Sequence, residues 1–412
     1  MTAVERVTVE SIAAGGDGVA RAGSLVVFVP RTAPGDVADV AIESRGRFAR
    51  GRVTALREPS PLRVDPPCAH YVRDRCGGCQ LQHLSDDAQR AAKARIIGDA
   101  VRRIGKRDVA DPEVRAPGRP WRYRRKLTLA LRRRGDRWIA GLHPYDAPAR
   151  VFALDDCPIT DERVVAVWRE VMAAAAELPR AAELRGAVRL ADDGAAFVLE
   201  GGTRWPRSAA FFDRAPSLAS VWWVPEGRGR VRLHERGTGT GRATGASFAQ
   251  VNAEVAAALR EHVVARAVAH EPRTVVDAYA GVGDTAAALA AGGRSVTAIE
   301  LDPDAAAWAA SRLPAGSRAL AARVEDALPG ALPADVVILN PPRRGVDERV
   351  TAALDAARPA PRAVLYVSCN PATLARDVAR MPNWRIASLV AFDMFPQTAH
   401  VETACELVPE SA

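Results

Sequence analysis

The 412-residue sequence predicts a multidomain α/β protein. A small β-barrel opens the chain, an α+β region with a metal-binding cysteine set fills the middle, and a doubly wound α/β sheet closes it. Three observations lead there. Alternating apolar runs with Gly and Pro turns fill residues 1–57, which is how a small barrel reads. Four cysteines, one pair spaced C-x2-C, lie in the middle region. From about residue 245, Ala-rich helical stretches alternate with short apolar runs, the pattern of a parallel sheet.

In the first segment VERVTVESI alternates, GGDG turns, SLVVFVP is an apolar run, APGD turns and VADVAIESR alternates again. The Pro-rich EPSPLRVDPPC ends it. A helix is predicted over Asp86–Arg103, strands at KLTLALRRR and WIAGLHP, and an Ala-rich helix near 161–177. A turn-rich run, EGRGRVRLHERGTGTGRATG, leads into the last segment. There the predicted strands are TVVDAYA, SVTAIEL, DVVILNPP, AVLYVSC and HVETACELV. The domains divide as 1–57, 58–240 and 241–412.

Composition narrows the classes. With 48% hydrophobic and 26% charged residues, disorder and fibrous repeats are excluded. No apolar run reaches the ~18–20 residues of a membrane span, and the opening residues do not read as a signal peptide. A cytoplasmic monomer with no membrane partner is expected. Of the 57 basic residues only Lys93, Lys106 and Lys126 are lysines, so Arg richness reflects general composition. Its distribution says more. Between Arg102 and Arg137 stand 14 basic and 4 acidic residues, a net of +10, while the whole chain carries +8. That concentration suits a polyanionic partner.

Four groups of residues carry chemistry. Asp277-Ala-Tyr279-Ala-Gly281-Val-Gly283-Asp284 follows an apolar run and precedes a helix. Glu300 ends the next strand 23 residues after Asp277, placed to bond ribose hydroxyls. Without a full G-x-G-x-x-G, S-adenosylmethionine or another adenosyl ligand fits better than a dinucleotide. Asn340-Pro-Pro-Arg-Arg-Gly leaves a strand at the sheet edge where α/β enzymes bind ligands. Cys369, also at a strand end, is placed for nucleophilic chemistry, and Glu402 follows His400 by two as a candidate base. Cys68-x7-Cys76-Gly-Gly-Cys79 with distant Cys157 offers four thiolates for zinc or an iron–sulfur cluster. Trp121, Tyr123 and Trp138 lie among arginines, placed either to stack on bases or to pack in a core.

Together these motifs resemble the RNA uracil-5-methyltransferases that act on 23S ribosomal RNA and on the tRNA T loop. GGDGVAR and VVFVPRTAPGD look like the family's TRAM barrel, and CAHYVRDRCGGCQLQHL like its cluster segment. SFAQVN, DAYAGVG, IELD, NPPRRG, VSCNPATLARD and DMFPQTAHVE follow in the family's order. The resemblance implies a Rossmann-like methyltransferase domain at 241–412 and assigns roles. Cys369 matches the nucleophile and Glu402 the base. Gln250, Tyr279, Asp284, Glu300 and Asn340 match positions that bind S-adenosylmethionine. Cys68, Cys76, Cys79 and Cys157 match the ligands of a [4Fe-4S] cluster. Two departures stand out: many members carry Asp where this chain has Asn340, and its first cysteine interval is two residues longer than the family's. The implied reaction is methylation of uridine C5, with 23S ribosomal RNA as the expected partner and tRNA as the alternative. Two other readings compete: an amino-methyltransferase centred on Asn340-Pro-Pro, and a non-catalytic cluster-bearing RNA-binding protein.

Overall fold

A computed structural model describes residues 3–191, 194–236 and 250–410. The end of the turn-rich run, the 240/241 boundary and the first three residues of SFAQVN lie outside the described residues. Strands β1 (Ala3–Ile12), β2 (Gly18–Ala22), β3 (Leu25–Val29), β4 (Val37–Ser44) and β5 (Phe48–Glu58) close a barrel in the order β1-β2-β3-β5-β4. Alternation turns Val7, Val27, Val29 and Val40 into its interior. Asp36, in the APGD turn, is fully buried and accepts from Arg63 at 2.6 Å and from the amides of Ala33 and Ser60. It fastens the Pro-rich exit to the barrel.

Helices α1 (Ala69–Arg73) and α2 (Asp86–Arg103) follow, then strand β6 (Glu113–Arg115). The helix α2 has the predicted bounds: Ser85 caps it by accepting from the Ala88 amide, acids open it and arginines end it. The middle sheet comprises β7 (Lys126–Arg134), β8 (Arg137–Leu142), β9 (Phe152–Ala153), β10 (Glu183–Ala191), β11 (Gly194–Glu200), β12 (Leu218–Val224) and β13 (Val231–Glu235), ordered β13-β12-β11-β10-β7-β8-β9. Leu127, Leu129, Leu131, Phe197 and Val221 on one face bury against α3 (Glu162–Ala173) and α4 (Ser208–Asp213). Trp138 packs on this core, while Tyr123 and Trp121 pack around the cysteines. The three aromatics therefore serve cores.

Helix α5 (Ala253–Ala269) leads into the last unit: β14 (Thr274–Ala278), α6 (Asp284–Ala291), β15 (Ser295–Glu300), α7 (Pro303–Arg312), β16 (Arg318–Ala321), α8 (Val324–Ala331), β17 (Val336–Leu339), α9 (Glu348–Ala356), β18 (Ala363–Ser368), α10 (Pro371–Ala379), β19 (Trp384–Phe392) and β20 (Glu402–Pro409). The sheet order is β16-β15-β14-β17-β18-β20-β19-β6. Strands β14 to β18 are parallel, as the alternating pattern predicts. Strand β20 is antiparallel to both β18 and β19, because a short loop rather than a crossover helix joins it to β19. The short β6 pairs with β19, and α2 packs on α10. Residues 86–115 thus extend the C-terminal sheet, although the sequence groups them with the middle domain.

One buried ion pair ties these parts together. Lys93 of α2 has no exposed side-chain surface and donates to Asp393 Oδ1 at 2.5 Å and to the Phe395 carbonyl at 3.2 Å. Beside it, Gln89 and Gln397 exchange two hydrogen bonds of 2.9 Å. Lys93→Ala strands a buried carboxylate and should cost about 3–5 kcal/mol in urea unfolding. The double change Lys93→Met with Asp393→Leu should recover most of that loss.

Candidate active site

Two clusters of residues meet at the carboxyl edge of the C-terminal sheet. The first is the turn after β14. Tyr279 (φ 61°), Gly281 (φ 57°) and Gly283 (φ 76°) take left-handed conformations, which for Tyr279 is a strained one. A Cβ on Gly283 would lie 2.7 Å from that of Ala309, so glycine lets α7 close against the turn. Glu300 braces this turn by accepting from the Gly281 amide at 2.8 Å and the Asp302 amide at 2.9 Å. Asp277 below it is buried, its Oδ2 has no hydrogen-bond partner, and burial pushes its carboxyl up to about 7. Asn340 stands exposed beside this turn, its amide donating to the Ala278 carbonyl at 3.2 Å. Asp284 opens α6 and pairs with Arg312 at 2.7 Å. Gln250 is half-buried, two residues before Asn252, whose side chain caps α5.

The second cluster holds Cys369 and Glu402. Ser368 pairs with Thr403 in the β18–β20 ladder, so the residues just beyond, Cys369 and Glu402, stand side by side at the strand ends. Cys369 is half-exposed, while Glu402 is 4% exposed. Burial pushes the Cys369 thiol up, the Glu402 charge adds to this, and Arg343, bonded to the thiol, opposes it. Burial likewise raises the Glu402 carboxyl to about 8 against the pull of Arg343. His400 is pushed below its ordinary value by burial and by Arg343, Lys93 and Arg124.

Arg343 was not singled out from the sequence. It follows Asn340-Pro-Pro in the chain, and position alone does not show that its positive charge acts on both the thiol and the carboxylate. Its loop is firmly held: its carbonyl accepts from Asn370 Nδ2 at 3.2 Å and Thr373 Oγ1 at 3.3 Å. Asp377 accepts from the Val346 amide at 3.0 Å and the Tyr366 hydroxyl at 2.7 Å. The loop preceding Glu402 is held as firmly. Besides Gln89 and Lys93, the Leu81 amide donates to the Gln397 carbonyl at 3.0 Å, and the Tyr123 hydroxyl to that of Pro396 at 3.0 Å.

The four predicted cysteine ligands lie together. Cys68, Cys79 and Cys157 share an apolar pocket with Tyr71, Tyr123 and Ile159, and Cys76 is buried beside it. All are free thiols. Burial pushes Cys76 up to about 11, and the charges of Cys157 and Cys68 add to this; Cys79 is raised by burial and by the other three. Among the described residues no three His, Cys, Asp or Glu side chains close on a single metal ion. Arg31 of the barrel rim lies 3.7 Å from the Tyr71 ring and donates to the carbonyls of Tyr71 and Cys76, locking barrel to cysteine loop.

A barrel joined to a doubly wound sheet, with a nucleoside-type turn beside a thiol and a buried carboxylate, defines the class: an S-adenosylmethionine-dependent RNA methyltransferase. Known proteins agree. Residues 3–54 match the TRAM domain and 315–409 the tRNA (uracil-5-)-methyltransferase family. An RNA methyltransferase of Protochlamydia amoebophila is 30% identical, covering 97% of this chain and 96% of the relative. Another, from Gloeobacter violaceus, is 32% identical over 97% and 95%. In fold, the chain matches the Pyrococcus abyssi tRNA (uracil-54, C5)-methyltransferase in complex with S-adenosyl-L-homocysteine. The TM-score is 0.72 at 23% identity, with 98% of this chain and 100% of that one covered. Within the class, this chain belongs to the RNA uracil-5-methyltransferase family.

The buried Glu402 has a measurable cost. Between the ordinary carboxyl value and about 8 the unfolded chain loses this proton while the folded chain keeps it, so native stability falls as pH rises through that window. Glu402→Gln should leave stability unchanged near pH 4 and raise it by on the order of 2 kcal/mol near pH 8, measured by urea unfolding.

Proposed function

We propose that the protein methylates C5 of a uridine in 23S ribosomal RNA through a covalent bond between Cys369 and uracil C6. The observation that carries this reading is the meeting of a half-exposed thiol, a buried carboxylate and Arg343 at adjoining strand ends, beside the Tyr279–Gly283 turn. The Cys369 thiolate adds to C6, breaking the ring's conjugation and making C5 nucleophilic. Arg343 holds the thiol toward its reactive anionic form. Bound S-adenosylmethionine supplies an electrophilic methyl carbon. Tyr279, Glu300, Asn340 and Gln250 would hold it, with Asp284, tied to Arg312, less directly placed. Glu402 in its ionised form takes the C5 proton, after which the C6–sulfur bond breaks and the thiolate leaves; with its carboxyl raised to about 8, this step speeds up as pH rises toward that value. The uridine leaves its stack to reach this edge, which costs least in a loop.

The barrel, the cysteine set and the Arg-Arg-Gly after Asn340-Pro-Pro support ribosomal RNA. The fold match to an enzyme of tRNA uracil-54 favours a second reading, a T-loop uridine. Methyl transfer from labelled S-adenosylmethionine to separate pools of unmodified 23S RNA and tRNA, with products digested to nucleosides, decides between them. Label in 5-methyluridine from 23S RNA is expected; label in a methylated purine overturns the chemistry. Cys369→Ala should form no covalent RNA adduct. Glu402→Gln should form the adduct and release it slowly, and the pH dependence of release through about 8 should disappear.

Cys68, Cys76, Cys79 and Cys157 would hold a [4Fe-4S] cluster. The gathering of Cys68, Cys79 and Cys157 in one apolar group, with Cys76 buried beside it, supports this reading. The cluster would cross-link residues 68–79 to 157, and the reaction itself transfers no electrons. Protein purified without oxygen should contain about four iron and four sulfide per chain. Cys79→Ser should lower both.

A further inference from the structure

The chain holds seven histidines, and six are bonded through a ring nitrogen: His70 to Asp74, His83 to Tyr71, His143 to the Arg150 carbonyl, His234 to Ser208, His262 to Arg115 and His270 to Glu406. His400 is the exception. Among the described residues neither of its ring nitrogens has a hydrogen-bond partner. It also stands apart from its surroundings: every other residue from 391 to 407 is buried or half-buried, and His400 alone is exposed.

The backbone that presents it is fixed. The Gln397 amide donates to Gln89 Oε1 at 2.9 Å and the Thr398 amide to the Phe395 carbonyl at 3.2 Å. The Ala399 amide donates to Gln80 Oε1 at 3.4 Å and that of His400 to Thr398 Oγ1 at 3.2 Å. The imidazole meets the Phe395 ring edge-on, with centroids 5.9 Å apart. A buried, hydrogen-bonded turn thus holds out one imidazole with its nitrogens uncommitted, two residues before Glu402.

The charge of Arg343 acts on His400 as it does on Cys369 and Glu402, which places the imidazole in the same corner. Addition of a thiolate to uracil C6 drives the C5–C6 π pair toward the C4 carbonyl and leaves negative charge on O4. Arg343 is bonded to the thiol, and Lys93 to Asp393 and the Phe395 carbonyl. The charge on O4 needs a donor of its own. Burial and the cations around it hold His400 below its ordinary value, so the ring is neutral near pH 7 and carries a single N–H. A neutral imidazole can polarise a carbonyl without giving up its proton.

We infer that His400 contacts the substrate: its ring N–H donates to O4 of the target uracil and stabilises the enolate formed when Cys369 adds to C6. The sulfur–C6 bond forms as the C5–C6 π pair moves onto O4, and the proton stays on the imidazole. When C5 takes the methyl group, the pair returns to C5 and the C4 carbonyl re-forms. Loss of the C5 proton to Glu402 regenerates the enolate, whose collapse expels the thiolate, so one N–H serves addition and elimination alike. The inference rests on the reading of the protein as a uracil C5 methyltransferase and adds a residue that reads the base. Cytosine presents an amino donor where uracil presents O4, so the same N–H favours uracil.

The test takes whichever of the 23S and tRNA pools accepts the methyl group and transcribes it with 5-fluorouridine. The fluorine cannot leave as a proton, so the covalent adduct accumulates and its formation is timed in a single turnover. His400→Ala should form the adduct roughly 10²-fold more slowly, with RNA and S-adenosylmethionine affinities kept. His400→Gln, which retains an N–H donor, should recover about tenfold of that loss. In RNA transcribed with 4-thiouridine, whose sulfur accepts hydrogen bonds weakly, the gap in methylation rate between wild type and His400→Ala should shrink. Wild-type adduct rates in His400→Ala overturn the inference. Weaker RNA affinity with the rate unchanged overturns it in favour of a phosphate contact, and a urea midpoint lowered in both variants overturns it in favour of packing. Wild-type protein that forms no adduct with either pool overturns the functional reading itself.

Discussion

The Lys93–Asp393 ion pair joins residues 300 positions apart and is nearly free of solvent. A buried pair of this kind contributes little net stability, because desolvation offsets the attraction. Its effect here is geometric. It fixes where the loop after β19 crosses α2, and the Gln89–Gln397 exchange, the Leu81 amide and the Tyr123 hydroxyl fix the same loop from two further segments. Glu402 begins the strand that follows. Its position is therefore set by the helix, the cysteine loop and the C-terminal sheet together.

The site itself sets opposing demands against each other. Burial disfavours both the Cys369 thiolate and the Glu402 carboxylate, and one positive group, Arg343, opposes burial at both. Both groups therefore favour their protonated forms, with Arg343 as the counterweight. Its loop is correspondingly tied down, with Asp377 buried beneath it and Gly345 at φ 78°, where a Cβ would lie 2.3 Å from Asp377 Oδ2.

Much of this was legible in the sequence. The bounds of α2, the barrel alternation and the run of strands from TVVDA to AVLYVS follow from local pattern, because capping and periodicity are local; that Cys369 and Glu402 belong together is implied only by the family resemblance. What escaped depends on contacts far apart in the chain. The antiparallel turn of β20 depends on loop length and neighbours. The recruitment of β6 to a sheet formed almost 300 residues later has no local signature in its three-residue strand. Arg343 and Lys93 look like ordinary members of an Arg-rich, apolar-patterned chain until the fold shows what each one faces.

The strand order has a consequence for how the sheet closes. Strand β20 follows β19 in the chain, yet it lies between β18 and β19. Those two strands therefore have no partner in each other, and the sheet is continuous only once β20 is inserted between them. Glu402 arrives on that inserted strand, so closing the sheet and bringing Glu402 beside Cys369 are one event.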